Sequence, residues 1–187
     1  MKTSHLIVLL ASIAVLALLF FGLYFSGSSL VLDVAGENAA PSSSGTGVLH
    51  NRLPYFDLPT LAGDRVRSSD FTDTPLVLVF WATWNSDATD QIHILDQYLA
   101  THAPQDSLVK IVAIDSQEER SIVSSFMTRG GYQVETLLDA QGRTSTAYSV
   151  KSVPTFFFVD RTGVVQEISS GVMGESLLMN KIESILQ

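Results

Sequence analysis

The chain has 187 residues, with 19 Asp and Glu against 11 Lys and Arg, and its formal net charge is −8 at pH 7. This acidic balance disfavours nucleic acid as a partner, because the phosphate backbone is bound by basic surfaces. The chain contains no cysteine, which excludes disulfides, thiolate nucleophiles and metal sites with cysteine ligands. Its length accommodates one domain with a core of its own, together with additional segments.

The N-terminal segment is predicted to be a membrane anchor. Residues 6–25 carry no charge and no proline, and as a helix they would span roughly 30 Å, the thickness of a bilayer core. Lys2 precedes this run, whereas the next charges are Asp33 and Glu37. The positive-inside rule therefore predicts that residues 1–5 are cytoplasmic and that the rest of the chain lies outside. The alternative is a cleaved signal peptide, whose apolar region is shorter, about 7–15 residues.

Two further segments complete the predicted organisation. Residues 26–51 are rich in Ser and Gly, and small polar residues bury too little surface to offset the entropy of ordering. A flexible linker is therefore predicted at 26–51. Residues 52–187 are predicted to form the globular domain.

The domain begins with a predicted hairpin and a buried strand. Apolar runs on both sides of Gly63 favour a short hairpin that turns there. Residues 76–80 read Leu-Val-Leu-Val-Phe, and such a short, continuous apolar run is typical of a strand buried on both faces. Asn85-Ser86-Asp87 then supplies residue types that begin helices. Functional groups in α/β folds often lie at such a junction, where backbone N–H groups and the positive helix end face outward.

The remaining pattern alternates helices and strands. An apolar stripe predicts a helix directly after the junction; its members are Ala88, Ile92, Leu95 and Leu99. Further strands are predicted at 108–114, 134–138, 156–160 and 164–170, and further helices at 117–129, 144–148 and 175–186. The helix at 117–129 is predicted to end at Gly130-Gly131. Its predicted buried side comprises Ile122, Val123, Phe126 and Met127.

The stretch Phe80-Trp81-Ala82-Thr83-Trp84 resembles the approach to the active site in TlpA-like thioredoxin-fold proteins, which are membrane-anchored bacterial thiol–disulfide oxidoreductases. Some members serve cytochrome c maturation. In that family a Cys-x-x-Cys pair follows directly, and its two positions are occupied here by Asn85 and Ala88. The family often has Glu and Pro where this chain has Gln91 and His93. The resemblance therefore implies the family framework without its redox cysteines.

Val153-Pro154-Thr155 is the second point of resemblance. Thioredoxin-like proteins hold a cis proline at this place, beside the start of the active-site helix, and leave the preceding backbone free to pair with an extended peptide. The resemblance covers about residues 53–187 and implies a thioredoxin-like α/β fold, a mixed sheet flanked by helices on both faces. It also implies a single-pass protein of the bacterial inner membrane, with this domain on the periplasmic side.

No catalytic residue is assigned at the predicted helix start. Asn85 or Ser86 is predicted to cap the helix, with Asp87 in the first turn, where the helix dipole favours an acid. A nucleophilic Ser86 is the alternative, but a serine needs a base within hydrogen-bond reach. His93 would lie about 10 Å further along the helix axis, too far to serve.

No metal ion or other cofactor is predicted. Asp90, His93 and Asp96 are each separated by three positions, a spacing that drifts around a helix and directs three side chains poorly towards one ion. A solvated polar face is the preferred interpretation of these residues.

A partner-binding surface is predicted beside the junction. Trp81 is expected in the core, whereas Trp84 either contacts a partner or only packs locally. The residues predicted to bind a partner are Trp84, Asn85, Ser86, Asp87, Val153, Pro154 and Thr155.

The sequence therefore predicts a membrane-anchored, extracytoplasmic thioredoxin-like domain without Cys-x-x-Cys chemistry, because disulfide exchange needs a thiolate. The expected partner is a protein or an extended peptide, bound non-covalently by an accessory or chaperone-like factor. One alternative is a thiol–disulfide oxidoreductase by ancestry, active only if cysteines are restored or supplied elsewhere. The other is a purely structural domain within a membrane assembly.

Overall fold

The computed structural model describes residues 47–102 and 108–187, and the order of their helices and strands agrees with the predicted order. The strands are β1 (Asp57–Pro59), β2 (Arg65–Arg67), β3 (Leu76–Trp81), β4 (Lys110–Ser116), β5 (Glu135–Asp139), β6 (Thr155–Val159) and β7 (Val165–Ser170). The helices are α1 (Ser86–Thr101), α2 (Arg120–Gly130), α3 (Arg143–Ala147) and α4 (Glu175–Ile185), with a short 3-10 helix at Ser68–Phe71.

The main sheet is mixed, with the strand order β5-β4-β3-β6-β7. β3, β4 and β5 are parallel to one another, whereas β6 is antiparallel to β3 and β7 is antiparallel to β6. β1 and β2 form a separate antiparallel hairpin around Gly63, as predicted. The result is a thioredoxin-like α/β fold, which confirms the predicted fold of the domain.

β3 is the centre of the core, and all six of its side chains are buried. Since successive strand residues point to opposite faces, Val77, Val79 and Trp81 contribute to one cluster and Leu76, Leu78 and Phe80 to the other. The first cluster includes buried residues of α1, α2 and α4. The second is closed by Phe56 and Leu58 of the hairpin region and by Tyr148, which follows α3.

The structure corrects one predicted core residue of α2. Ile122 is 48 % exposed, whereas Val123 and Met127 are buried and Phe126 packs partly against the same cluster. Successive residues of an α-helix are rotated by about 100° about the helix axis. Ile122 therefore points in a different direction from the buried Val123 and lies outside the buried stripe. Gly131 ends the helix with a left-handed φ of 69°, the conformation that glycine adopts at helix ends.

The predicted anchor at 6–25 lies outside the described residues. No helix within 47–102 or 108–187 has the length and apolar character needed to cross a membrane. At the start of the described chain, the His50 N–H donates to the Val165 carbonyl at 2.8 Å, and the Val165 N–H donates to the Asn51 carbonyl at 3.0 Å. This short segment is thereby paired with the beginning of β7.

Candidate functional site

The junction between β3 and α1 is fixed by a side-chain cap. Asn85 precedes the helix, and its Oδ1 accepts a hydrogen bond from the Ala88 N–H at 2.9 Å. The predicted cap is thus Asn85, one of the two candidates. Ser86 and Asp87 are exposed in the first turn, where Asp87 lies at the positive end of the helix dipole.

The two tryptophans of the junction have opposite environments. Trp81 is fully buried, and its ring packs on Phe126 with a centroid distance of 5.4 Å. Trp84 follows three residues later, outside the strand, and is 69 % exposed. An exposed indole offers a large apolar area and one N–H donor to a partner.

The segment that contains Pro154 lies across from this junction. Phe80 is opposite Thr155 in the β3–β6 ladder, so Val153 and Pro154 lie next to the residues that follow β3. The Val153–Pro154 peptide bond is cis, as the resemblance implied. The Pro154 carbonyl accepts from the Gly171 N–H at 2.9 Å, which ties this segment to the loop after β7.

Val153 is half-buried, and its backbone is available for pairing. Within the described ranges, neither its N–H nor its C=O takes part in a hydrogen bond. Thr155, in contrast, is buried: its hydroxyl donates to the Ser152 carbonyl at 2.7 Å and lies 3.0 Å from Ser170 Oγ. Among the residues predicted to bind a partner, Trp84, Ser86 and Asp87 are therefore exposed, whereas Pro154 and Thr155 are buried.

Gln91 joins α1 to the loop that follows β7. Its side chain is fully buried; Oε1 accepts from the Met173 N–H at 2.6 Å, and Nε2 donates to the Met173 carbonyl at 3.2 Å. An amide satisfies both backbone groups because it carries one acceptor and one donor. A carboxylate at this position would leave the Met173 carbonyl facing a second acceptor.

A carboxylate that the sequence analysis did not identify holds the turn before Trp84. Glu118 Oε2 accepts from the Thr83 N–H at 2.5 Å, and Oε1 accepts from the Thr83 hydroxyl at 2.6 Å. Both oxygens of Glu118 are therefore used on one residue. These two hydrogen bonds fix the backbone from which the Trp84 side chain projects.

Asp115 is a second carboxyl group beneath the same turn. It lies opposite Trp81 at the end of β4 and is fully buried. Within the part of the chain that the structure describes, neither carboxyl oxygen makes a hydrogen bond of normal geometry, although the side chain and the backbone N–H of Glu118 lie close enough to interact with this group. Burial, assisted by the neighbouring Glu118, raises the pKa of Asp115 to about 8. The sequence signal was a lone acid at the end of an apolar strand, placed beside the junction strand.

The three residues considered for a metal site have different environments. Asp96 Oδ1 accepts from the Gln133 N–H at 2.6 Å, and His93 Nε2 lies 3.0 Å from Gln97 Nε2. Asp90 is exposed. Asp96 and His93 therefore have different hydrogen-bond partners.

Comparison with protein families places these features in a known context. A model described as the AhpC/TSA family matches residues 49–168. The chain is 28 % identical over 185 residues to the thiol-disulfide oxidoreductase ResA of Geobacillus kaustophilus, covering 99 % of this chain and 94 % of the relative. It is 30 % identical over 126 residues to the ResA protein of Bacillus subtilis, covering 67 % of this chain and 69 % of the relative.

Solved structures show the same architecture. A crystal structure ascribed to a thiol:disulfide interchange protein DsbE of Chlorobium tepidum superposes with a TM-score of 0.68 at 25 % identity, covering 76 % of this chain and 100 % of that chain. The StoA protein of Bacillus subtilis superposes with a TM-score of 0.61 at 18 % identity, covering 68 % and 96 %. The latter similarity extends to the fold alone.

Proposed function

This chain belongs to the AhpC/TSA family of thioredoxin-fold proteins, and from that premise we propose that it binds an extended polypeptide non-covalently at the surface formed by Trp84 and Val153. The proposal assigns the protein an accessory or chaperone-like role. In this proposal the protein keeps the peptide-binding surface of the oxidoreductase framework but performs no thiol chemistry.

The observation that carries the proposal is the unpaired backbone of Val153 beside an exposed indole. A free N–H and C=O on one residue can pair with an extended segment in the manner of an added strand. Trp84 would supply apolar contact area next to that pairing, and tryptophans often dominate the energy of protein interfaces. The Glu118 bonds to Thr83 anchor the turn that carries Trp84.

The residues at the former cysteine positions support binding without electron transfer. Asn85 is engaged as the helix cap, and Ala88 is fully buried. Disulfide exchange proceeds through a mixed disulfide formed by a thiolate, and the chain has no cysteine. The proposed site therefore acts by contact alone.

We further propose that the surface faces the extracytoplasmic side of a bacterial membrane, with residues 6–25 as the anchor. The support is the uncharged apolar run and the distribution of charges around it. A tethered domain would meet polypeptide segments near the membrane surface.

The test is site-directed photocrosslinking with the full chain in membranes. A photoreactive residue at Trp84 is expected to capture extended segments of other proteins, identified by mass spectrometry. The matched control is Leu108, which has a similar exposure of 68 % but lies two residues before β4, at the amino end of that strand. Equal capture from both positions, or none from position 84, would overturn the proposal.

A second candidate function is thiol–disulfide oxidoreduction by ancestry, and the names of the relatives favour it. In this case cysteines would have to be restored in the chain or supplied by another protein. The reaction itself needs two thiols in exchange with a disulfide, so the test of this candidate is to restore cysteine at positions 85 and 88 and to measure reductase activity.

A further inference from the structure

A cleft of about 460 Å³ lies outside the partner surface, between the β1–β2 hairpin and the segment that follows β5. Its lining combines buried apolar residues with arginines and includes none of the residues predicted to bind a partner. The apolar residues are Phe56, Leu58 and Leu138, and the basic ones are Arg65, Arg120 and Arg143. Arg120 begins α2 and Arg143 begins α3, so both follow parallel strands at their carboxyl ends, the edge where α/β sheets bind ligands.

The two carboxylates that line the cleft are already used by the protein. Asp57 Oδ1 accepts from Arg65 Nε at 2.7 Å, and the bond to Arg65 lowers the pKa of this carboxyl group. Asp139 accepts from the backbone N–H groups of Thr144 and Ser145 at 3.2 and 2.7 Å, and from the Ser145 hydroxyl. Neither carboxylate therefore neutralises Arg120 or Arg143.

The two remaining guanidinium groups have unused donors. Arg120 Nη1 donates to the Leu61 carbonyl at 2.7 Å, which fixes its position beside the hairpin loop, and its other N–H groups have no partner within residues 47–102 and 108–187. Within the described ranges, Arg143 has no carboxylate or hydrogen-bond partner for its guanidinium group. A guanidinium group binds carboxylate or phosphate through two parallel hydrogen bonds.

We propose that this cleft binds a small organic anion. Its carboxylate or phosphate group is held by Arg120 and Arg143, and its apolar body lies against Phe56, Leu58 and Leu138. The volume falls within the usual range of small-molecule sites, about 300–1,000 Å³. The arginines of the lining contrast with the net charge of −8 of the whole chain, and locally positive groups attract an anion.

The experiment is isothermal titration calorimetry of the full chain with phenyl phosphate, benzoate and inorganic phosphate. We expect one of the two aromatic anions to bind with a sub-millimolar Kd, and inorganic phosphate to bind at least about tenfold more weakly because it has no apolar body. Tighter binding of phenyl phosphate would identify phosphate as the preferred group, and tighter binding of benzoate would identify carboxylate. Equal binding of inorganic phosphate, or no binding of any anion at millimolar concentration, would overturn the proposal.

Charge-matched variants locate the site. Arg143→Gln and Arg120→Gln are each expected to weaken binding of the aromatic anion by about tenfold or more, because each variant loses a hydrogen bond to a charged group. Arg129→Gln is the control, because it removes the same charge from the exposed last turn of α2 and does not line the cleft. An equal loss in the Arg129 variant would show a nonspecific charge effect and reject the site. Unchanged thermal unfolding of Arg143→Gln would establish that its loss of binding is local.

Discussion

Asp115 places an ionisable group in an environment that favours its protonated form. The carboxyl is fully buried, and among the described residues neither oxygen makes a hydrogen bond of normal geometry, although Glu118 lies close enough to interact with it. An ionised carboxylate in such a place is costly. Glu118 and Asp139 are the nearby acids that raise its pKa further. The folded protein therefore retains this proton at pH values where the unfolded chain has released it.

The first prediction concerns the pH dependence of stability. The pKa of Asp115 is about 8 in the folded protein and about 3.9 in an unfolded chain. Between these values only the folded state keeps the proton, so its stabilisation by Asp115 decreases as the pH rises, and the loss levels off above pH 8. The free energy of unfolding of the parent protein should fall between pH 5 and pH 8. In Asp115→Asn this fall should be smaller by about 1–3 kcal/mol.

Urea unfolding at both pH values measures this effect. Asp90→Asn is the matched control because Asp90 is exposed and the substitution makes the same change of charge. The Asp90 variant should retain the pH dependence of the parent protein. An Asp115 variant with the same pH dependence as the parent would show that the buried carboxyl does not titrate in this range.

The second prediction concerns Glu118 and the turn before Trp84. Both Glu118 oxygens accept hydrogen bonds from Thr83, whereas a glutamine has only one acceptor oxygen. Glu118→Gln should therefore accelerate hydrogen exchange of the Thr83 amide by about tenfold. The neighbouring Glu119→Gln, at an exposed position, serves as the control in the same exchange experiment. Unchanged Thr83 exchange in the Glu118 variant would contradict the anchoring role.

At the scale of elements, Gln91 shows how the junction helix is held against the rest of the fold. Gln91 and Met173 are separated by 82 positions in the chain, yet the Gln91 side chain satisfies both backbone groups of Met173. The same loop holds Pro154 through Gly171. Gln91 therefore connects the element that carries the helix start to the segment that carries the cis proline.

The third prediction is that Gln91→Glu destabilises the protein by about 2–3 kcal/mol at pH 7, since a buried carboxylate cannot donate to the Met173 carbonyl. Burial should raise the pKa of the new carboxyl, and its acid form can replace the amide as donor. The loss of stability should therefore grow as the pH rises above the unfolded value of about 4.3.

Denaturant unfolding at pH 5 and pH 7 checks this prediction. The control is Gln97→Glu, which makes the same substitution on an exposed position of the same helix. That variant should change the stability by less than about 0.5 kcal/mol. Equal effects at positions 91 and 97 would mean that the amide bonds to Met173 contribute nothing specific.

At the scale of the whole molecule, the fourth prediction separates ancestry from present chemistry. The unmodified chain should reduce insulin disulfides no faster than the background reaction, because no thiolate is available. The double variant Asn85→Cys with Ala88→Cys should gain reductase activity if the framework remains competent. Its stability should fall by about 1 kcal/mol through loss of the Asn85 cap.

The single variant Asn85→Cys is the control for this assay, because it has an attacking thiol but no second thiol to resolve the mixed disulfide. Activity of the unmodified chain would refute the argument from cysteine. An inactive but folded double variant would show that the site has diverged beyond its cysteines, and would remove the oxidoreductase candidate.

Local patterns sufficed for most of the fold. Some structural features depend only on residues close together in the sequence, so periodicity or residue type predicts them. Examples are the continuous apolar run of β3, the apolar stripe of α1 and the glycine at the end of α2. Boundaries were less well defined. β4 extends to Ser116 and α2 begins only at Arg120, because pairing with β3 and β5 decides where the strand ends.

The candidate site was predicted only where it depends on neighbours in sequence or on the family resemblance. The cap at Asn85 and the cis bond before Pro154 are of this kind. Glu118, Asp115 and the amide bonds of Gln91 were missed as parts of the site, since each depends on a residue or element distant in the chain.

By itself, the sequence determined the mixed α/β framework, the family resemblance and the absence of cysteine, because these are fixed by local pattern and by composition. Only the tertiary structure decided that Thr83 is held by Glu118, that the Val153 backbone is unpaired beside an exposed Trp84, and that Arg120 and Arg143 line one cleft. The physical reason is that strand register and helix packing set these distances, and neither is encoded in the spacing of any single segment.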